Sequence, residues 1–193
     1  MFRFLELVFD GFLKLEKWNQ DGVKFPLLVV RTSDSVSGLL WDRTQDQVLL
    51  VRQNRVAMKT DENPTGSLVE LVAGRFDVNL GPKALFVKEA KEEAGANITE
   101  EDVDILNTGA SLALSPGVLT ERAYLAFVEI RAEHLDDGES YGVAADGEST
   151  NRVWMPVAEF LATTHQDLRV FTLARELENR LLKERLAALE AAK

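Results

Sequence analysis

Apolar and polar residues alternate with a period of two through the first third of the chain, the signature of half-buried strands. Phe2-Arg-Phe-Leu-Glu-Leu-Val-Phe and Gly11-Phe-Leu-Lys-Leu-Glu predict two short strands around Asp10-Gly11, a dipeptide suited to tight hairpins. Phe25 to Val30 is a third strand candidate. Ser35 to Trp41 and Gln47 to Arg52 flank the polar run Asp42-Arg-Thr-Gln-Asp-Gln, which predicts a second hairpin. Lys59, Asp61, Glu62, Asn63, Pro64 and Gly66 mark 57–67 as a loop. Ser67-Leu-Val-Glu-Leu-Val-Ala predicts one more strand, ending at Gly74.

The period then changes. Pro82 suits the first position of a helix, Lys83 to Ala94 are good helix formers, and Gly95 stands where a left-handed terminal glycine belongs. Strands are expected at 103–113 and 122–131. An acidic, glycine-containing stretch from His134 to Thr150 reads as a mobile loop. Val153-Trp-Met is a short strand, and Pro156 to Thr163 a short helix. From Asp167 to about Lys193, Leu, Ala and Val recur at helical spacing among Arg and Glu, which predicts a long terminal helix. That helix is expected to cover the sheet and extend an oligomer contact rather than to bind a ligand. No internal repeat is present. Strands, helix, strands, helix argue for an α+β sandwich rather than a doubly wound sheet.

Composition narrows the chemistry. The chain has 193 residues, 46% of them hydrophobic and 28% charged, enough for a substantial core. The absence of cysteine excludes disulfides, thiolate metal sites and a Cys nucleophile. His134 and His165 are the only histidines, too few for a His-rich metal site, and both are expected at the surface. The net charge of −10 repels phosphate, so broad binding to nucleic acid or an anionic membrane is not expected. Arg3, Glu6 and Asp10 interrupt the apolar N-terminus well short of a targeting or membrane segment, leaving a cytoplasmic location as the default.

One cluster stands apart from ordinary surface charge. On the helix ending at Gly95, Glu89, Glu92 and Glu93 fall within an arc of roughly 100°. Glu89 and Glu93 are like charges four residues apart, near a helix C-terminus whose dipole disfavours anions. On spacing alone two readings stay open. Lys88 and Lys91 are consistent with a solvated helix face. Alternatively, a hard divalent cation such as Mg²⁺, with phosphates and waters completing its shell, would cancel the repulsion.

The longer string Gly74-Arg-Phe-Asp-Val-Asn-Leu-Gly-Pro-Lys-Ala-Leu-Phe-Val-Lys-Glu-Ala-Lys-Glu-Glu-Ala-Gly-Ala resembles the Nudix box, G-x5-E-x7-R-E-U-x-E-E-x-G-U with U apolar. Two positions depart from it. Leu80 stands where the box has its first Glu, and Lys88 where it has Arg. Leu50-Val-Arg-Gln-Asn-Arg, Glu70-Leu-Val-Ala-Gly, Ser115-Pro-Gly-Val-Leu-Thr-Glu-Arg and Gly142-Val-Ala-Ala-Asp-Gly-Glu-Ser-Thr-Asn-Arg-Val resemble the ADP-ribose pyrophosphatase branch of Nudix hydrolases.

The resemblance implies a Nudix-type α/β/α sandwich over 34–193 and an N-terminal strand subdomain over 1–33 that packs across a homodimer. It implies Mg²⁺, with Mn²⁺ as a substitute, held by Glu89, Glu92, Glu93 and the carbonyl of Ala73. Catalytic duty would fall to Glu93, Glu92 and Glu148, with Glu139 the other base candidate. Substrate contacts would come from Phe12, Arg31, Arg55, Glu70, Ser115 and Gly117, with Phe12 stacking on a base and Arg55 on phosphate. Taken by itself, Phe12 reads more readily as core than as a stacking platform, and Arg55 is readable as a partner of Asp61 and Glu62. The implied activity is hydrolysis of a nucleoside diphosphate sugar, with ADP-ribose, split to AMP and ribose 5-phosphate, as first expectation. GDP-mannose or another such sugar is the enzymatic alternative. Leu80 and Lys88 motivate a third reading, a Nudix-like module that senses its ligand without cleaving it.

Overall fold

Strands that are apolar on both faces require cover on two sides, and the helices of this chain supply it. The computed structural model describes residues 1–138, 140–142 and 149–192. At the centre lies β4 (Ser35–Asp42), buried along its whole length. It pairs antiparallel with β5 (Gln47–Asn54) through the predicted hairpin, and in parallel with β10 (Arg122–Ile130). The antiparallel strand β11 (Asn151–Pro156) closes the β5 side.

Odd and even positions along these strands feed two separate cores. Leu40, Leu49, Val51, Ala126 and Val128 face one side, where Leu85, Phe86, Ala90 and Ala94 of helix α1 (Pro82–Ala94) cover them. Leu39, Trp41, Val48, Leu50, Leu125 and Phe127 face the other. There they meet α2 (Val157–Ala162) through Val157 and Phe160, and α3 (Leu168–Ala191) through Val170, Leu173, Ala174 and Leu177. Each Val, Leu or Phe among them contributes roughly 1.5–3 kcal/mol of transfer free energy when fully buried. The result is the expected α+β sandwich. Among the described residues no helix is long and apolar enough to cross a membrane.

Two expected strands are broken. The run from Ser67 divides at Leu71 into β6 (Ser67–Glu70), which pairs with β5, and β7 (Val72–Arg75), which pairs with β4. The stretch 103–113 holds only the two-residue strands β8 (Asp104–Ile105) and β9 (Leu112–Ala113). Between them Asn107, Thr108 and Gly109 all take positive φ, which no strand accommodates.

The first thirty residues form a sheet of their own. β1 (Phe2–Asp10), β2 (Lys14–Gln20) and β3 (Leu27–Arg31) make an antiparallel meander. Every residue of β1 is exposed, as are Phe2, Phe4, Phe9, Phe12 and Phe25. The meander is tied to the sandwich at Val30, whose N–H donates to the Val118 carbonyl at 2.7 Å and whose carbonyl accepts from Thr120 at 3.0 Å.

Candidate active site

The crossing at Leu71 and the docking of α1 open a cavity of about 680 Å³ over the β4–β7 edge. Its lining combines Phe12, Ser33, Ser35, Arg55, Ala73, Gly74, Arg75, Asp77 and Glu121 with Lys88, Glu89, Glu92 and Glu93 of α1 and Arg169 of α3.

The carboxylates of α1 are not equivalent. Glu93 shares the helix's buried stripe and is only 3% exposed. Its Oε1 accepts from Gln53 Nε2 and its Oε2 from the Ala73 N–H, both at 2.9 Å. Glu92 and Glu89 instead flank the Lys88 ammonium, at 2.5 and 3.4 Å. Burial alone would depress Lys88, but the hydrogen bond it donates to Glu92 and the charges of Glu89 and Glu92 outweigh it and raise its pKa. Gly74 makes this packing possible, because a Cβ there would overlap the Glu89 side chain.

The C-terminal end of α1 is fixed by several partners. Gly95 takes φ 57° and ends the helix, as predicted. Arg152 Nε donates to the Ala94 carbonyl at 2.7 Å, and Thr150 Oγ1 to the Glu93 carbonyl at 2.8 Å. The Gly142 N–H donates to the Glu92 carbonyl at 2.9 Å. Beside them, burial and a hydrogen bond to Asp136 push the Tyr141 phenol up to about 12.

The cations come from several elements. Arg55 follows β5, and its Nε donates to Glu70 Oε1 at 2.7 Å. Arg169 leaves the first turn of α3, where Asp167 caps the helix by accepting the Arg169 N–H at 2.7 Å. The Arg169 guanidinium bonds Asp167 and Ser37 Oγ, and its Nη2 stands 3.7 Å from Glu70 Oε2. Burial would lower Arg169, but Asp167 first, then Glu70 and Glu121, raise it. Arg75 reaches Thr32 and Ser33, with its guanidinium carbon 4.4 Å from the centre of the Phe12 ring. Ser35 donates to Glu121 Oε1 at 2.7 Å.

The sequence-derived residues therefore distribute unevenly. Glu89, Glu92, Glu93, Ala73, Arg55 and Phe12 come together at the cavity. Phe12 is 82% exposed, so it is not core. Arg55 pairs with Glu70 rather than with Asp61 or Glu62. Glu70 lies beneath the arginines, 1% exposed. Arg31 bonds Glu16 at 2.7 and 2.8 Å, away from the cavity lining. Those bonds, then that of the Trp18 indole, hold the Glu16 carboxyl down at about 2. Ser115 and Gly117 form the turn before β10 and do not line the cavity. Glu139 and Glu148 lie outside the described residues. Both histidines are partly buried rather than free at the surface: His134 Nδ1 accepts the Arg131 N–H, and His165 packs on Phe160.

Sequence reasoning missed Arg169, Arg75, Ser35 and Glu121. Glu121 was within reach, since it sits in the quoted Ser115–Arg122 string. Arg169 carries no such signal: the spacing of the terminal helix indicates only a sheet-covering face, whereas its first turn brings an arginine to the cavity.

A family model described as NUDIX domain matches residues 31–174, three-quarters of the chain. The chain belongs to the NUDIX family. This NUDIX chain is similar to the GDP-mannose pyrophosphatase of Citrobacter koseri, 31% identical over 149 residues, 77% of this chain and 73% of the relative. It is also similar to that of Cronobacter sakazakii, 31% identical over 148 residues, 74% and 72% of the two chains. With the Enterobacter protein of the same name it shares 33% over 115 residues, 60% of this chain and 57% of that protein, under two-thirds of its length.

Members of the NUDIX family generally use divalent metal ions. Among the described residues no three acidic or histidine side chains form a ready-made cage for one. A hard cation here would take the rest of its shell from substrate phosphates and water. The Lys88 ammonium between Glu89 and Glu92 shows that this part of the cavity already accommodates positive charge.

Proposed function

We propose that this NUDIX protein hydrolyses the diphosphate linkage of a nucleoside diphosphate sugar, GDP-mannose foremost, yielding GMP and mannose 1-phosphate. The observation that carries the reading is one cavity lined both by the NUDIX-helix carboxylates and by Arg55 and Arg169. Such a lining suits a metal-bridged pyrophosphate better than a bare anion, which the acidic net charge would repel.

In this reading Glu89, Glu92 and Glu93, with the Ala73 carbonyl, would hold magnesium once phosphates and water complete its shell, and manganese would substitute. The ion supplies charge neutralisation on phosphate and a more acidic bound water. Arg55 gives charge-assisted hydrogen bonds to the phosphate oxygens. Phe12, braced by Arg75, offers a face for the base. Glu148 is proposed as general base. The exposed apolar meander is proposed to be covered by a second copy of the chain, and the protein to work in the cytoplasm. ADP-ribose is the second reading, favoured by the strings around Arg55, Glu70 and Ser115.

The test is incubation of the protein with magnesium and, separately, GDP-mannose, ADP-ribose, ADP-glucose and diadenosine polyphosphates, followed by chromatography of the products, with sedimentation of the same sample. GDP-mannose cleavage by a dimer is the expected result. Faster release of AMP from ADP-ribose would favour the second reading. Thermal stabilisation by a nucleotide sugar without cleavage of any would point to a sensing module.

A further inference from the structure

A buried carboxylate beneath an anion site is an apparent contradiction, because its charge opposes the ligand. Glu70 is such a group. It is 1% exposed, it is absent from the cavity lining, and both of its oxygens face arginines. Arg55 spends only its Nε on Glu70, and among the described residues its two Nη groups make no other hydrogen bond. The Arg55 side chain is 41% exposed and lines the cavity. Arg169 differs, since it is committed to Asp167 and Ser37 as well as standing beside Glu70.

We infer that Glu70 is a positioning residue: it locks the Arg55 guanidinium through Nε so that the free Nη edge is presented to a pyrophosphate, while Arg169 offsets its charge. The inference deepens the proposed function and rests on its pyrophosphate-binding reading. A fork held at one edge loses less rotamer freedom when its other edge binds phosphate in bidentate fashion. Glu70 touches no substrate in this account and acts only through Arg55.

Position and charge predict opposite signs for one substitution. Glu70→Gln removes a negative charge near an anion, so a residue acting by charge alone would yield tighter binding when neutralised. A positioning residue yields weaker binding, because the neutral amide holds the guanidinium less firmly. The experiment is calorimetric titration of the full chain with inorganic pyrophosphate in magnesium buffer. Glu70→Gln should weaken binding roughly tenfold. In the Arg55→Ala background the same change should leave binding equal or slightly tighter. Glu70→Asp keeps the charge but withdraws it by one methylene, and should also weaken binding.

Tighter or unchanged binding in the Glu70→Gln single variant would overturn the inference. So would an equal loss in both backgrounds, which would mean direct contact or general damage. Absence of pyrophosphate binding by the wild type would overturn it as well. Because the readout is binding, failure to cleave any nucleotide sugar would sink the proposed activity and leave this inference standing.

Discussion

The acidic and the basic residues of the cavity are assembled in contrasting ways. Glu89, Glu92 and Glu93 project from adjoining turns of one helix, whereas Arg55, Arg75 and Arg169 come from the end of β5, the end of β7 and the start of α3. The basic set is already paired within the protein, through Glu70 and Asp167 beneath and the Phe12 ring beside it. In the acidic set Lys88 bridges Glu89 and Glu92, and Glu93 accepts from the Gln53 amide and the Ala73 N–H. The difference teaches where a cation is needed. A set that pairs its own charge is preorganised to receive phosphate, and a set that crowds like charge at a helix C-terminus gains most from an added positive ion.

The sharpest way to break this contrast is to neutralise Glu93, the most buried of the three carboxylates. Glu93→Gln keeps the side-chain volume and can still accept the Ala73 N–H through its amide oxygen. Turnover of the cleaved sugar should fall by roughly 10²–10⁴-fold, the range for losing an essential proton-transfer or charge-stabilising group. Circular dichroism should remain that of the wild type. A near-normal rate would remove Glu93 from the chemistry and leave only its role in tying α1 to β5 and β7.

A smaller effect is expected from Lys88→Met, which removes the ammonium that bridges Glu89 and Glu92. Glu89 and Glu92 then lose the positive charge between them, so manganese binding followed by paramagnetic relaxation should tighten several-fold. Turnover should nonetheless drop, because the 2.5 Å bond that orients Glu92 is gone. Weaker metal binding would mean that the lysine organises the carboxylates more than it competes for them.

The same contrast explains what the amino-acid sequence disclosed. Everything within one local period was legible: the Asp42–Gln47 hairpin, the Pro82 start and Gly95 stop of α1, and the three glutamates on one face. The breaks at Leu71 and at Asn107–Gly109 were not, because strand partners rather than local pattern decide the first. Three consecutive left-handed residues, two of them not glycine, decide the second. The basic set was half legible. Arg55 entered through a resemblance. Arg169 had no signal, since its value comes from lying beside Glu70, a contact between β6 and α3 that no periodicity announces. The charged partners of Arg31 and Arg55 were hidden for the same reason, both lying on neighbouring strands or beneath them.

The mildest prediction concerns how the basic set is anchored. Burial pushes the Asp167 carboxyl up, but the Arg169 side chain and the amide N–H groups of Arg169 and Val170 outweigh it and hold the pKa below the ordinary value. A carboxyl depressed in the folded state binds its proton less readily than in the unfolded chain. Its contribution is therefore complete above the unfolded pKa, near 4, and is lost as pH falls through the folded value. Asp167→Asn retains a good helix cap and removes only the charge. The variant should be less stable than wild type at pH 7, by about 1 kcal/mol judged from the usual difference between charge-assisted and neutral hydrogen bonds. Urea unfolding at a series of pH values should show the two proteins converging below pH 4, the wild-type slope being steeper by at most about 1.4 kcal/mol per pH unit. A gap that persists unchanged into acid would show that Asp167 anchors Arg169 by shape rather than by charge. The basic set would then owe its order to the packing of α3 on the sheet and not to the anions beneath it.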